Sequence, residues 1–125
     1  MDIIGHFGKN RLFYTFSFCF LERTEKMVKK ETNFQSNLKE ELKKRFPGCI
    51  ITKLDSGDIQ GIPDLLILYK DKWATLENKR SEKSNKQPNQ EYYVNKMNEM
   101  SFSRFIYPEN KDEVLNDLTN MFEKN

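Results

Sequence analysis

The sequence predicts an α+β domain with elements in the order α-β-β-β-α-β-α. Three observations predict it. Two apolar runs, 64–69 (DLLILY) and 73–79 (WATLENK), flank a short charged turn and read as a β-hairpin. Apolar residues recur at helical spacing in three other segments, one before the hairpin and two after it. A β-branched run before the hairpin and an aromatic run between the last two helical segments supply two more strands. With 125 residues the chain is long enough for one domain around a single core.

Composition narrows the function classes. There are 21 Lys and Arg against 19 Asp and Glu, a net charge of +2, so any nucleic-acid binding must come from a local patch. A charged fraction of 32% beside 13% aromatics fits a soluble folded chain better than a disordered one. Cys19 and Cys49 form no disulfide framework, which fits a reducing, cytoplasmic setting. The single histidine, His6, excludes chemistry that needs two, including His-ligated zinc sites. No run of about 18 apolar residues exists, so no membrane partner is expected.

Residues 1–26 stand apart. Their apolar run 12–21 (LFYTFSFCFL) follows Lys9 and Arg11 like a weak signal peptide, but no small-residue cleavage site follows it. It is β-prone enough to make an extra edge strand or a dimer contact. The plainer expectation is that translation begins at Met27, with 1–26 outside the native protein and 27–125 forming the functional domain.

The first helix is predicted over 32–46. Thr32 and Gln35 have capping-box spacing, and Phe34, Leu38, Leu42 and Phe46 recur every four residues. Pro47-Gly48 ends it. Glu41 turns toward the apolar side, where it is either a partly buried ion-pair partner or a functional acid. Residues 49–54 (CIITKL) form a strand, and 55–61 a loop in which Gly57 serves as a turn former. The Gly-x-x-x-x-Gly-Lys spacing of a P-loop is absent.

The hairpin register matters most. An even turn, for instance Lys70-Asp71, pairs Tyr69 with Lys72 and puts Asp64 opposite Glu77; an odd one sends them to opposite faces, so a shared charged cluster predicts an even turn. Glu77 and Lys79, two apart on a strand, share a face. Residues 80–87 (RSEKSNKQ) are polar and basic. A second helix is predicted over 89–100, with Tyr93, Met97 and Met100 at core spacing and Gln90 near its start. A fourth strand follows over 102–107, then a helix over 110–122 with Asn110 and Glu113 as a capping box and Val114, Leu118 and Met121 as its apolar stripe.

Two converging carboxylates repel unless something compensates them. A divalent cation does so, and oxygen-only ligands favour Mg2+, with Mn2+ as the alternative. A neighbouring lysine adds positive charge for a phosphoryl transition state, and a bound cation makes water more acidic. Asp64, Glu77 and Lys79 thus form a workable set for phosphodiester hydrolysis. The competing reading is a surface hairpin whose charges merely pair across strands.

Gly-Ile-Pro-Asp (61–64), followed after a hairpin by Glu77-Asn78-Lys79, resembles the PD-(D/E)XK nuclease signature. The α-β-β-β-α-β order is similar to that superfamily's core. The basic loop and the glutamine-bearing helix look most like its VRR-NUC branch, including small bacteriophage Holliday-junction-resolving endonucleases, from about Phe34 to Leu118. The resemblance implies a restriction-endonuclease-like fold, a central mixed four-stranded sheet flanked by helices. It implies an Mg2+-dependent endodeoxyribonuclease in which Asp64 and Glu77 bind metal, Lys79 is the catalytic lysine and Asn78 lends its backbone carbonyl. It matches Glu41 to a metal-binding acid on the first helix and Gln90 to the branch's helix glutamine, with Gln87 as the substitute. Lys83 and Lys86 would contact the DNA backbone or form a solvated loop, and Gly61 would let the backbone pass close to phosphate. Branched DNA would be the substrate, recombination the setting and a homodimer the assembly, since a resolvase needs two active sites. The alternative is a non-catalytic DNA-binding accessory protein that keeps the fold.

Overall fold

The computed structural model describes residues 33–124. The expectations for residues 1–26 and for a Thr32 cap lie outside the described residues. Within them the chain is α+β, with an open, mixed four-stranded sheet and three helices. In chain order these are helix α1 over 33–45, β1 (Ile50–Lys53), β2 (Leu65–Tyr69), β3 (Lys72–Asn78), α2 (Pro88–Met100), β4 (Ser103–Ile106) and α3 (Lys111–Glu123). The sheet order is β1-β2-β3-β4; the first three strands are antiparallel, and β4 joins β3 in parallel after the α2 crossover.

The predicted even turn is present. Tyr69 pairs with Lys72, leaving Lys70-Asp71 as the loop. Lys70 takes φ 57°, the sign that lets a two-residue turn follow the twist of its strands.

Alternation sorts the sheet into two faces. Leu65, Ile67, Ala74, Leu76 and Ile106 face a core built with Leu38, Leu42 and Phe46 from the α1 region and Val114, Leu115, Leu118 and Phe122 of α3. Phe46 anchors it, with ring centroids 4.9 Å from Phe122 and 5.2 Å from Tyr69. The Lys72 ammonium donates to the Phe122 carbonyl at 3.2 Å and to that of Lys124, satisfying the C-terminal end of α3 and tying it to the hairpin turn.

On the other face α2 covers β3 and β4. The Thr75 hydroxyl donates to Ser103 Oγ at 2.8 Å, and Met97 lies above it. Nothing in the described region covers the β1–β2 part of this face equally, so the directly paired Ile50 and Leu68 stay exposed.

Three local expectations need correction. Val94 is the buried residue of α2, while Met100, the last residue of the helix, is 66% exposed. Asn110 precedes α3 but makes no capping bond; its side chain accepts from the Tyr107 N–H and donates to the Phe105 carbonyl, bracing the end of β4. Leu115 and Phe122 widen the predicted α3 stripe.

Candidate active site

Asp64 lies one residue before β2, and Glu77 lies at the penultimate position of β3. Extending the Leu65–Leu76 pair by one step sets them opposite each other. The Asp64 N–H donates to Glu77 Oε2 at 3.0 Å, and the Asn78 N–H donates to Asp64 Oδ2 at 2.9 Å. Each carboxylate is therefore oriented by the other strand's backbone. The loop before Asp64 is held by its own turns: Gly57 N–H donates to Asp55 Oδ1, Ile59 N–H to the Asp55 carbonyl and Ile62 N–H to the Ile59 carbonyl.

Lys79 leaves the end of β3 on the same face, and its backbone N–H continues the parallel ladder to the Ile106 carbonyl at 2.8 Å. Its ammonium donates to Gln90 Oε1 at 2.6 Å and to the Asn85 carbonyl at 3.0 Å. The Gln90 amide donates to Glu77 Oε1 at 2.9 Å. Gln90 thus bridges carboxylate and ammonium, and the two bonds orient its amide without ambiguity. Its Oε1 also accepts the Gln87 N–H at 3.1 Å, as an N3 glutamine reaches back to its N-cap, and Pro88 occupies the first helical position.

Glu77 is 4% exposed. Burial pushes its carboxyl up to about 7, and the Asp64 charge adds to that; Lys79 and the Asp64 N–H oppose the shift only in part.

The structure brings Asp64, Glu77, Lys79 and Gln90 together, and it leaves other candidates elsewhere. Glu41 does not join the two carboxylates. Lys111 holds it at 3.1 Å and Arg45 at 3.5 Å, and no group of three Asp, Glu, His or Cys is placed to share a metal among the described residues. Packing of α3 against α1 supplies Lys111, seventy residues away in sequence, so Glu41 takes the ion-pair alternative.

Gly61 owes its identity to packing. At φ +92° a Cβ would lie 2.4 Å from Asn89 Cβ and 2.8 Å from the Asn89 carbonyl carbon. The close approach is to the first turn of α2, where the sequence reading expected phosphate. Lys83 is exposed, whereas the Lys86 ammonium lies 4.8 Å from the Phe105 ring centroid. Asn78 alternates to the opposite face from Glu77, where both amide atoms are buried without a hydrogen-bond partner.

Gln87 serves as the N-cap whose N–H Gln90 accepts, not as a substitute for Gln90, and the Gln87-Pro88-x-Gln90 spacing carries a readable helix-start signal for it. The Asn85 carbonyl is the contributor not foreseen, and no signal could have found it, because any residue offers one.

The donor set suits a hard divalent cation. The Asp64 and Glu77 carboxylates lie on adjoining strands, each against a backbone N–H of the other strand, and burial together with the Asp64 charge penalises the ionised Glu77, a penalty that a bound cation would offset. Two carboxylates, with remaining positions left to water and phosphate, is a common arrangement for Mg2+. Comparison of the chain with protein-family models, curated proteins and solved structures found no match.

Proposed function

We propose that this chain is an Mg2+-dependent endodeoxyribonuclease that hydrolyses DNA phosphodiester bonds, with branched DNA such as a four-way junction as its preferred substrate. The observation that carries the reading is the hydrogen-bonded set Asp64–Glu77–Gln90–Lys79 at one end of the sheet. Its choice of DNA rests on the resemblance to PD-(D/E)XK nucleases of the VRR-NUC type.

Asp64 and Glu77 would hold the cation, together with the Asn78 backbone carbonyl. When bound, the cation supplies charge for the phosphoryl transition state and a more acidic water. Gln90 fixes the Glu77 carboxylate while leaving each oxygen further lone pairs. Lys79, held by Gln90 and the Asn85 carbonyl, keeps its ammonium beside the carboxylates, where it faces the charge that develops on phosphate and orients the attacking water.

The test is cleavage of a four-way junction and a matched linear duplex, with and without Mg2+. Magnesium-dependent cleavage that disappears in Asp64→Ala and Lys79→Ala is expected. Wild type that cuts neither DNA, or variants that cut like wild type, would overturn the proposal. Metal-independent DNA binding without cleavage would support the accessory-protein alternative. A resolvase further requires two sites, so a homodimer is expected by sedimentation.

A further inference from the structure

The segment between β3 and α2 forms no helix or strand, yet one of its carbonyls, that of Asn85, holds the Lys79 ammonium. Ser81 to Ser84 closes as a turn. The Ser84 N–H donates to the Ser81 carbonyl at 3.1 Å, and the Ser81 N–H donates to Ser84 Oγ at 3.0 Å. Within that turn the Glu82 N–H donates to Glu109 Oε2 at 2.7 Å. On the other side of Asn85, the Lys86 ammonium lies 4.8 Å from the Phe105 ring centroid. Anchors on both sides therefore fix the Asn85 carbonyl.

Both anchors belong to one short stretch of chain. Phe105 is the β4 partner of Glu77, so the two side chains stand on the same face of the sheet. Glu109 follows in the turn that leaves β4. The Asn110 side chain ties that turn together, accepting the Tyr107 N–H at 2.8 Å and donating to the Phe105 carbonyl at 3.0 Å. The end of β4 also holds Lys79 itself, whose backbone N–H donates to the Ile106 carbonyl at 2.8 Å. Lys79 and the carbonyl that meets its ammonium thus take their positions from the same place.

The ammonium needs the second acceptor for a geometric reason. Lysine carries three N–H donors at the end of a flexible stem. A single acceptor, Gln90 Oε1 at 2.6 Å, leaves the group free to turn about that bond. A second, the Asn85 carbonyl at 3.0 Å, fixes the direction of the third N–H. A carboxylate that accepts a backbone N–H makes one of the stronger hydrogen bonds, enough to hold an exposed turn. Its negative charge opposes phosphate binding by Arg80, Lys83 and Lys86 of the same segment, so attraction of DNA does not account for an acid at position 109.

We propose that Glu109 is a positioning residue for Lys79. By holding the 81–84 turn it sets the Asn85 carbonyl against the ammonium, and so aims Lys79 at the scissile phosphate. The inference rests on the nuclease reading and deepens it.

The experiment compares wild type, Glu109→Ala and Glu109→Gln, each first checked for a wild-type melting temperature. Glu109 is exposed, so both variants should fold. Glutamine removes the charge but keeps an oxygen that accepts the Glu82 N–H. One readout is the 15N–1H signal of the Lys79 ammonium in EDTA. The other is kcat and KM for magnesium-dependent cleavage of a four-way junction. Glu109→Ala should move the Lys79 signal and lower kcat about tenfold without raising KM, while Glu109→Gln keeps the signal in place and kcat within about threefold of wild type. An unmoved signal or an unchanged kcat in Glu109→Ala, a loss confined to KM, or a glutamine variant as impaired as the alanine one would overturn the proposal. If wild type fails to cleave, the nuclease reading fails, and the Lys79 signal still decides whether Glu109 positions this ammonium.

Discussion

The Asp64 N–H donates to Glu77 Oε2 at 3.0 Å across the β2–β3 ladder. The bond ties the Glu77 carboxylate to the backbone of Asp64 on the adjoining strand, in a place where Glu77 has almost no contact with water. Its consequences extend to stability, metal binding and pH.

Glu77 should make stability fall as pH rises. Burial and the Asp64 charge hold its carboxyl at about 7 in the folded chain against an ordinary 4.5, so the folded state holds the proton more tightly. Stability from this group is fully present below about pH 4.5 and is lost as pH climbs through 7, by about 3 kcal/mol in all. Urea melts of wild type and Glu77→Gln in EDTA check this. The wild type should lose ground to the variant between pH 5 and 8. Added Mg2+ should restore it at pH 8, and should do nothing for Asp64→Ala. A difference that stays flat across that range would remove the basis for the shift.

Gln90→Ala should cut cleavage by about 10- to 100-fold, a size typical for losing a group that orients a metal ligand. It frees Lys79 to turn from the site and leaves Glu77 Oε1 short of a donor, costing about 1–3 kcal/mol. Gln90→Glu would place a third carboxylate against Glu77 and raise the Mg2+ concentration needed or change the metal preference. Initial cleavage rates across a magnesium titration distinguish the two.

Gly61→Ala should destabilise by about 2–4 kcal/mol. It combines a positive φ with a clash against Asn89 backbone, which cannot swing away as a side-chain tip would. Gly57→Ala should cost much less, since its added Cβ meets only the Asp55 carboxylate at 3.0 Å. Chemical denaturation of the pair provides the comparison.

Glu41→Gln should leave the magnesium-dependent melting shift unchanged and cleavage within a few-fold of wild type. Its pairs with Arg45 and Lys111 are partly exposed, so stability should fall by no more than about 1 kcal/mol. Loss of the metal response in this variant would show that Glu41 moves into the site on binding.

Asn78→Leu should raise the melting temperature while keeping cleavage. An apolar group of similar size removes a buried, unpartnered amide that costs about 1–3 kcal/mol, and the backbone carbonyl is untouched. If cleavage falls while the fold is more stable, the side chain itself has a role in the reaction.

Much of this site was legible because strand geometry is local. Once the turn between Tyr69 and Lys72 has two residues, the period of two puts Asp64 across from Glu77 and Lys79 on the same side. Helix positions were legible for a similar reason, as apolar periodicity reports which face meets the sheet. Met100 misled because periodicity shows which side of a helix is apolar but not how far along the helix that side is covered, and Met100 is its last, exposed residue.

The sequence by itself determined the order of elements and tied the pairing of Asp64 with Glu77 to an even hairpin turn, since each depends on residues close along the chain; the observed Tyr69–Lys72 pair fixed that register. The tertiary structure decided the rest. Docking of α2 turned Gln90 into the bridge between Glu77 and Lys79 and required glycine at position 61. Docking of α3 gave Glu41 to Lys111 and so left two carboxylates, not three, at the site. These contacts join segments far apart in sequence, and they depend on packing angles and burial that no local pattern encodes.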